Sequence, residues 1–420
     1  MTPRSQQQLS VLVMSTLAFT VCFAVWMMFA VIGIPIKTQL GLNETQFGIL
    51  IATPVLTGSL IRLPLGMWTD KLGGRIVFFA LMLVTVIPIW LISYATSFWQ
   101  YLIGGLFVGL AGGSFSVGIA YCARWFSKPH QGFAMGVFGM GNSGSALTKL
   151  IAPSIVVAYG WQMVPHAYAV AMLIMALLFW FLTYDDPNHR VGKHVTLRDQ
   201  LAALKDPNVW KLCQYYSIVF GGYVALALWM TEYYVTEYGF NLKTAAVLAT
   251  FFSLPGGVLR AVGGWMSDRW GAHRVTWWVM WVSWICLFIM SYPQTDFVIQ
   301  TVSGEKSFHI GLNPTLFTVL LFIVGVAFAF GKASVFKYIG DDYPHNIGVI
   351  SGIVGLVGGM GGFLLPIMFG ALVDLTGVRT SAFMLMFGVV WVSLIWMYFT
   401  EVRHTEVMGK HVAQAGAAIQ

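Results

Sequence analysis

Charge is scarce in this chain of 420 residues. Only 9% of them are charged and 58% are hydrophobic, whereas water-soluble domains carry about a quarter charged residues. A soluble domain is excluded, and an integral membrane protein is expected. The net charge of +7 does not point to nucleic acid, because the basic residues fall in alternate loops. Cysteine is scarce as well. Cys22, Cys122, Cys213 and Cys286 lie in apolar segments without metal-ligand spacing, which excludes a disulfide framework and a zinc site and leaves them as small core residues. The nine histidines sit largely at helix ends and in loops, so no metal site or relay is read from them. Carboxylates are missing from the middle of every apolar run. The nearest, Glu232, Glu237 and Asp374, stand toward run ends.

What the apolar runs do contain is arginine. The stretch Gly58-Ser-Leu-Ile-Arg62-Leu-Pro-Leu-Gly66-Met-Trp-Thr-Asp70 recurs as Gly257-Val-Leu-Arg260-Ala-Val-Gly-Gly264-Trp-Met-Ser-Asp268. One offset of 198 residues superimposes Arg62 on Arg260 and Asp70 on Asp268. Eight helical residues rise about 12 Å within a hydrocarbon core of about 30 Å, so each arginine is expected near mid-membrane. A guanidinium there faces a cavity or a partner and is a functional hypothesis by default.

Runs of roughly 18 or more apolar residues predict twelve helices. Six lie between Leu12 and Tyr184 and six between Val209 and Phe399. The first, Leu12 to Ile36, is too long for the core of a cleaved signal. The expected organisation is a six-helix bundle over 1–184, a cytoplasmic linker over 185–208, a second bundle over 209–400 and a cytoplasmic tail over 401–420.

Fifteen lysines and arginines, among them Lys71, Arg75, Arg124, Arg190, Lys193, Arg269, Arg403 and Lys410, fall at one end of the predicted helices, against Lys37, Lys243, Lys306 and Arg379 at the other. The excess marks the cytoplasmic side, so both termini are expected there, in a multi-pass protein of the cytoplasmic (inner) membrane. The four remaining basic residues, Arg62, Lys149, Arg260 and Lys332, lie inside helices. Cations without carboxylates suit an anionic substrate, because in its absence they are unpaired in low dielectric.

The repeat continues at a larger offset. Val108-Gly109-Leu-Ala111 matches Val324-Gly325-Val-Ala327, and the outer loop Gln294 to Asn313 accounts for the growth. The halves are parallel repeats, expected to place a binding site at mid-membrane between two bundles.

The loop pattern Gly66-x-x-x-Asp70-Lys-x-Gly73-Gly-Arg75, echoed by Gly264-x-x-x-Asp268-Arg-x-Gly271, resembles the signature of the major facilitator superfamily. An arginine in the second and the eighth helix, with the glycine-rich stretches 132–144 and 352–363, is similar to the nitrate/nitrite porter family. That resemblance covers essentially the whole chain. It implies two arginines clamping the anion, flanking aromatics and an asparagine donor, which on the matching positions are Arg62, Arg260, Phe115, Tyr216 and Asn142, with Gly139 and Gly358 beside them. The resemblance implies nitrate or nitrite as the partner; the expected partners also include protons and the lipid bilayer, with no cofactor and no nucleic acid, and the protein is expected to be a monomer. Nitrate is planar and poorly hydrated, which suits guanidinium forks between aromatic rings. The close approach of glycine-rich helices predicts a small site.

Gly139-Met-Gly141-Asn-Ser-Gly144 fits a dinucleotide fingerprint, but it lies in an apolar helix with no preceding strand and reads as packing and lining. Asp70, Arg75 and Asp268, at repeated positions near helix ends, are expected to gate the cytoplasmic side by pairing with a helix N-terminus or a cross-bundle arginine. Asn43-Glu-Thr45 is a glycosylation sequon, meaningful only in a glycosylating host. Lys332 and Lys149 are the candidates for carrying a proton, since a lysine, unlike an arginine, can release one. Lys332 leads, because it matches Ser116 on the helix that mirrors that of Phe115. Nitrate/proton symport is therefore expected, with nitrate/nitrite antiport as the alternative and a phosphate-ester or carboxylate exchanger as a third reading. No acid/base dyad or metal cluster lies at one depth, so enzyme activity is not expected. A sensor would need a signalling domain that Met408 to Gln420 is too short to supply.

Overall fold

A backbone in hydrocarbon must satisfy its hydrogen bonds within its own segment, so so apolar a chain folds into helices. The structure is a computed structural model and describes residues 3–185, 197–343 and 347–402. Residues 186–196 of the expected linker and 403–420 of the tail, with Arg190, Lys193, Arg403 and Lys410, lie outside them.

The membrane helices are numbered in chain order. In the first half, helices 1 to 4 are Arg4–Leu40, Glu44–Leu72, Gly74–Tyr94 and Phe98–Trp125, and helix 6 is Met163–Leu182. In the second, helix 7 is Pro207–Tyr238, helix 8 is the pair Leu242–Val258 and Arg260–Trp270, and helices 9 to 12 are Ala272–Met290, Pro314–Asp342, Val349–Thr376 and Ser381–Glu401. Among the described residues ten helices, or eleven counting the bent pair as one, are long and apolar enough to cross a membrane. The twelfth expected span is helix 5, built from Lys128–Gly139, Met140–Ser143 and Gly144–Tyr159. Asn142, Lys149 and the many glycines and serines dilute its hydropathy.

Outside the helices, the loop that breaks the repeat folds as a hairpin of Thr295–Thr301 and Gly304–Ile310. A lone hairpin is marginal in water. This one stacks Phe297 on Phe308 at 5.3 Å and ties its base to Leu312 O through Gln294 at 2.8 Å.

Several membrane helices are interrupted, and the interruptions share a purpose. Helix 2 breaks at Ile61, one residue before Arg62, and helix 8 bends by 47° at Leu259, one residue before Arg260. Helix 4 passes through a 3-10 segment, Gly109–Gly113, just before Phe115, and helix 5 does so over Met140–Ser143, which contains Asn142. Helix 7 widens into a π-helical segment, Ser217–Gly222, directly after Tyr216. Such local departures from α geometry mark functional positions in helices.

The two ends of the molecule differ. At the end opposite the signature loops the halves are fused. Helix 2 packs on helix 11 with Gly48 against the Pro366 carbonyl, where no Cβ fits, and helix 8 packs on helix 5 with Gly257 against the Ser143 backbone, where a Cβ would fall 2.6 Å from nitrogen. Four charges cross the same seam. Lys37 lies 2.7 Å from Glu44 and 2.8 Å from Glu232, while Arg379 lies 3.1 Å from Glu44 and 3.5 Å from Glu232. Asp374 accepts from the backbone nitrogens of Glu44 and Thr45 at 3.1 and 2.8 Å, at the N-terminus of helix 2. Asn43 of the sequon is engaged in the same turn, capping helix 2 by accepting from Gln46 N at 2.7 Å. At the signature-loop end the halves part around a cavity of about 830 Å³.

Candidate functional site

Arg62 and Arg260 stand at the closed end of that cavity, and Asp70, Asp268 and Lys337 stand along it toward its mouth. The two guanidinium groups converge. The Cζ of Arg62 lies 5.6 Å from the centre of the Phe115 ring and that of Arg260 lies 5.3 Å from the same centre. Phe220 at 4.9 Å and Trp26 at 5.8 Å complete the aromatic bed of Arg62, and Phe336 at 5.4 Å that of Arg260. Aromatic faces carry partial negative charge and hold a cation weakly without neutralising it.

Among the described residues no carboxylate pairs with Arg62, Arg260, Lys149 or Lys332. Arg62 donates one Nη1 bond to Gly355 O at 3.2 Å and leaves Nε without a partner, and Arg260 leaves Nη1 without one. Both are nearly buried, at 6% and 7% exposure. A buried charge with unfilled donors is costly unless something supplies the missing acceptors.

The remaining sequence candidates fall around this pair. The Tyr216 hydroxyl faces both guanidinium groups, without a hydrogen bond of good geometry, while the adjacent Tyr215 turns away to Tyr338. Asn142 is fully buried, and neither its amide nitrogen nor its oxygen has a partner. Gly139 and Gly358 act as supports and do not line the cavity. A Cβ on Gly139 would come to 3.2 Å from Arg260 Cδ, and one on Gly358 would overlap the Tyr216 ring. The cavity is wider than the small site expected from the glycines, because it is open along its length and the glycine contacts lie at its closed end.

Both lysines are sealed from the cavity. Lys332 is fully buried, donates to Gly256 O at 2.5 Å and rests 3.5 Å above the Tyr223 ring. Lys149 bonds Ser145 Oγ at 2.9 Å and Ser253 Oγ at 2.8 Å.

The signature-loop charges pair within their own halves. Asp70 takes a short bond from Arg124, Arg75 reaches Asp185 at 3.1 Å and Trp180 O at 2.7 Å, and Asp268 lies 3.7 Å from Lys337. None of these pairs crosses the cavity mouth, which is the arrangement of an open end.

Sequence reasoning missed Trp26, Phe220, Phe336 and the Gly355 carbonyl. Aromatics make up 15% of the chain, so a ring under an arginine is invisible without the fold. The four-charge seam at the closed end was missed too. Its one sequence signal was Glu232, an acid inside an apolar run.

The chain matches the Major Facilitator Superfamily over residues 14–366. It is 39% identical to the probable nitrate/nitrite antiporter NarK1 of Thermus thermophilus, over 96% of this chain and 94% of that protein. It is 29% identical to the nitrite extrusion protein of Bacillus subtilis, over 94% and 96%, and 30% identical to the probable nitrate transporter NarT of Staphylococcus haemolyticus, over 90% and 94%. Among solved structures, a bacterial homologue of the human lysosomal transporter Spinster, in an inward-facing and occupied conformation, superimposes with a TM-score of 0.68 at 17% identity, covering 94% of this chain and 97% of that one. The nucleoside transporter NupG superimposes with a TM-score of 0.71 at 14% identity, covering 92% and 98%. At such identities these structures speak for the fold alone. The fold, the repeated loop signature and the relatives agree: the chain belongs to the nitrate/nitrite porter family of the major facilitator superfamily.

Proposed function

We propose that the protein carries nitrate across the cytoplasmic membrane by alternating access, as a nitrate/proton symporter working as a monomer. The observation that carries this reading is the pair Arg62 and Arg260, converging on one aromatic ring with no carboxylate beside them. A planar oxyanion fills the free guanidinium donors, Asn142 and Tyr216 close around it, and its charge offsets the repulsion that keeps the halves apart at the open end. The two six-helix halves, divided by the linker 185–208, then rock about the bound anion. The open end is cytoplasmic in this reading, by the excess of lysine and arginine there, and Asp70, Arg75 and Asp268 hold it shut in the opposite state by pairing across the mouth.

The empty return is the difficult step, because two unpaired cations resist closure. Lys332, behind Arg260 on the Tyr223 ring, eases it by giving up its proton once nitrate has left and a shift of helix 10 has opened its bond to Gly256 O and joined it to the cavity. Antiport is the second reading, favoured by the printed name of the Thermus relative. There the carrier returns with nitrite bound, and Lys332 is a fixed charge. Uptake of labelled nitrate into proteoliposomes at clamped voltage separates the readings. Symport requires acceleration by an inward pH gradient with no nitrite inside. Antiport requires internal nitrite and indifference to the gradient.

A further inference from the structure

Lys149 is 1% exposed, and among the described residues its ammonium is held by two neutral hydroxyls, Ser145 Oγ on its own helix and Ser253 Oγ on helix 8 of the other half. Two serines do not compensate a cation in low dielectric. Its depth is defined by the chain. Lys149 follows Asn142 by seven residues on helix 5, and Ser253 precedes Arg260 by seven on helix 8, so both stand about 10 Å beyond the arginine pair, toward the closed end. Tyr223 lies between the two levels. Its hydroxyl donates to Ser253 O at 2.8 Å and reaches Asn142 O at 3.5 Å, and its ring carries the Lys332 ammonium.

We propose that Lys149, Ser145 and Ser253 form a second, outer station for the small oxyanion, exposed when the end carrying Lys37 and Arg379 opens. This inference rests on the anion-transport reading above. Because Lys149 and Ser253 belong to different halves, outer opening draws them apart and wets both. The ammonium donor released by Ser253 and the Ser145 hydroxyl, which stays beside Lys149 on its own helix, then face an anion entering the outer cleft ahead of the arginines, with the freed Ser253 hydroxyl across the cleft from them. As the halves close again, Ser253 returns to Lys149, displaces the anion and leaves the Arg62–Arg260 pair as its next place of rest. Tyr223 shuts the path behind it.

The test uses the full-length protein in membrane vesicles of both orientations, with initial rates of labelled nitrate measured from each face. The unmodified protein must first show saturable nitrate flux; no flux overturns the substrate reading itself. With flux established, Lys149→Met is expected to raise the KM at the outer face by about tenfold or more, the size of electrostatic capture effects, and to leave the KM at the inner face within about twofold, since the inner cavity does not reach Lys149. Lys149→Arg is expected to recover most of the outer affinity. An unchanged outer KM, or an equal rise at both faces, overturns the outer station, as does loss of response to a pH gradient with both KM values unchanged. Should Lys149→Met fail to insert, Ser253→Ala and Ser145→Ala carry the same test, with a rise confined to the outer face supporting the station and no such rise overturning it.

Discussion

Arg62 and Arg260, 198 residues apart in the chain, share one aromatic ring: their guanidinium carbons lie 5.6 and 5.3 Å from the centre of Phe115. The ring brings two like charges together without cancelling either. In the proposed reading an anion between the forks completes the electrostatics, and the consequences can be measured.

Replacing either arginine by lysine keeps the charge and removes the planar fork. Charge-assisted bonds contribute about 1.5–3 kcal/mol each, so R62K and R260K are each expected to lose about 10- to 100-fold in kcat/KM for nitrate. Gel filtration of the purified variants should still give a monodisperse peak, because neither arginine holds an ion pair in the fold.

Phe115→Ala removes the ring common to both guanidinium groups. A desolvated cation–π contact contributes about 0.5–2 kcal/mol, so nitrate affinity is expected to fall about 3- to 30-fold. Phe115→Tyr, which keeps the ring, should remain within a few-fold of the unmodified protein in the same binding assay.

Lys332→Gln removes the titratable group beside Tyr223 while keeping a donor for Gly256 O. In symport, uptake by this variant should no longer accelerate when the outside is made acid, while exchange of labelled for unlabelled nitrate continues. Proteoliposome flux with and without the gradient checks both halves of that expectation, and a preserved response to the gradient would move the proton role elsewhere.

At the closed end, Glu232 is buried and meets both Lys37 and Arg379. Breaking a buried pair by removing one partner costs about 3–5 kcal/mol in the state that contains it. Glu232→Gln is therefore expected to shift the population toward the form open at that end. A cysteine introduced at Thr231 reports this as faster labelling by an impermeant thiol reagent, against four native cysteines that are all buried.

The parts of this architecture that a linear pattern records were legible in the sequence. Apolar runs gave the helices, and the repeated Arg62–Asp70 and Arg260–Asp268 spacing gave two parallel halves. The helix breaks at Ile61 and Leu259 were not legible, because a bend at a leucine or isoleucine leaves no mark beyond a proline several residues upstream. The closed-end seam was hidden for another reason. Glu44 and Arg379 are 335 residues apart, and each alone is an ordinary charge at a helix end. Lys149 was visible as an intramembrane cation, but its partner Ser253 carries no signal of its own. The cavity misled in the opposite sense, since glycine content describes how closely helices touch and says nothing of which end they leave open.

Equilibrium binding of nitrate to the purified protein, compared with R260K, tests the paired-guanidinium site most directly. The account predicts saturable binding to the unmodified protein, competed by nitrite, and at least a tenfold weaker affinity in the variant. Equal affinity for nitrate in the two proteins would contradict it.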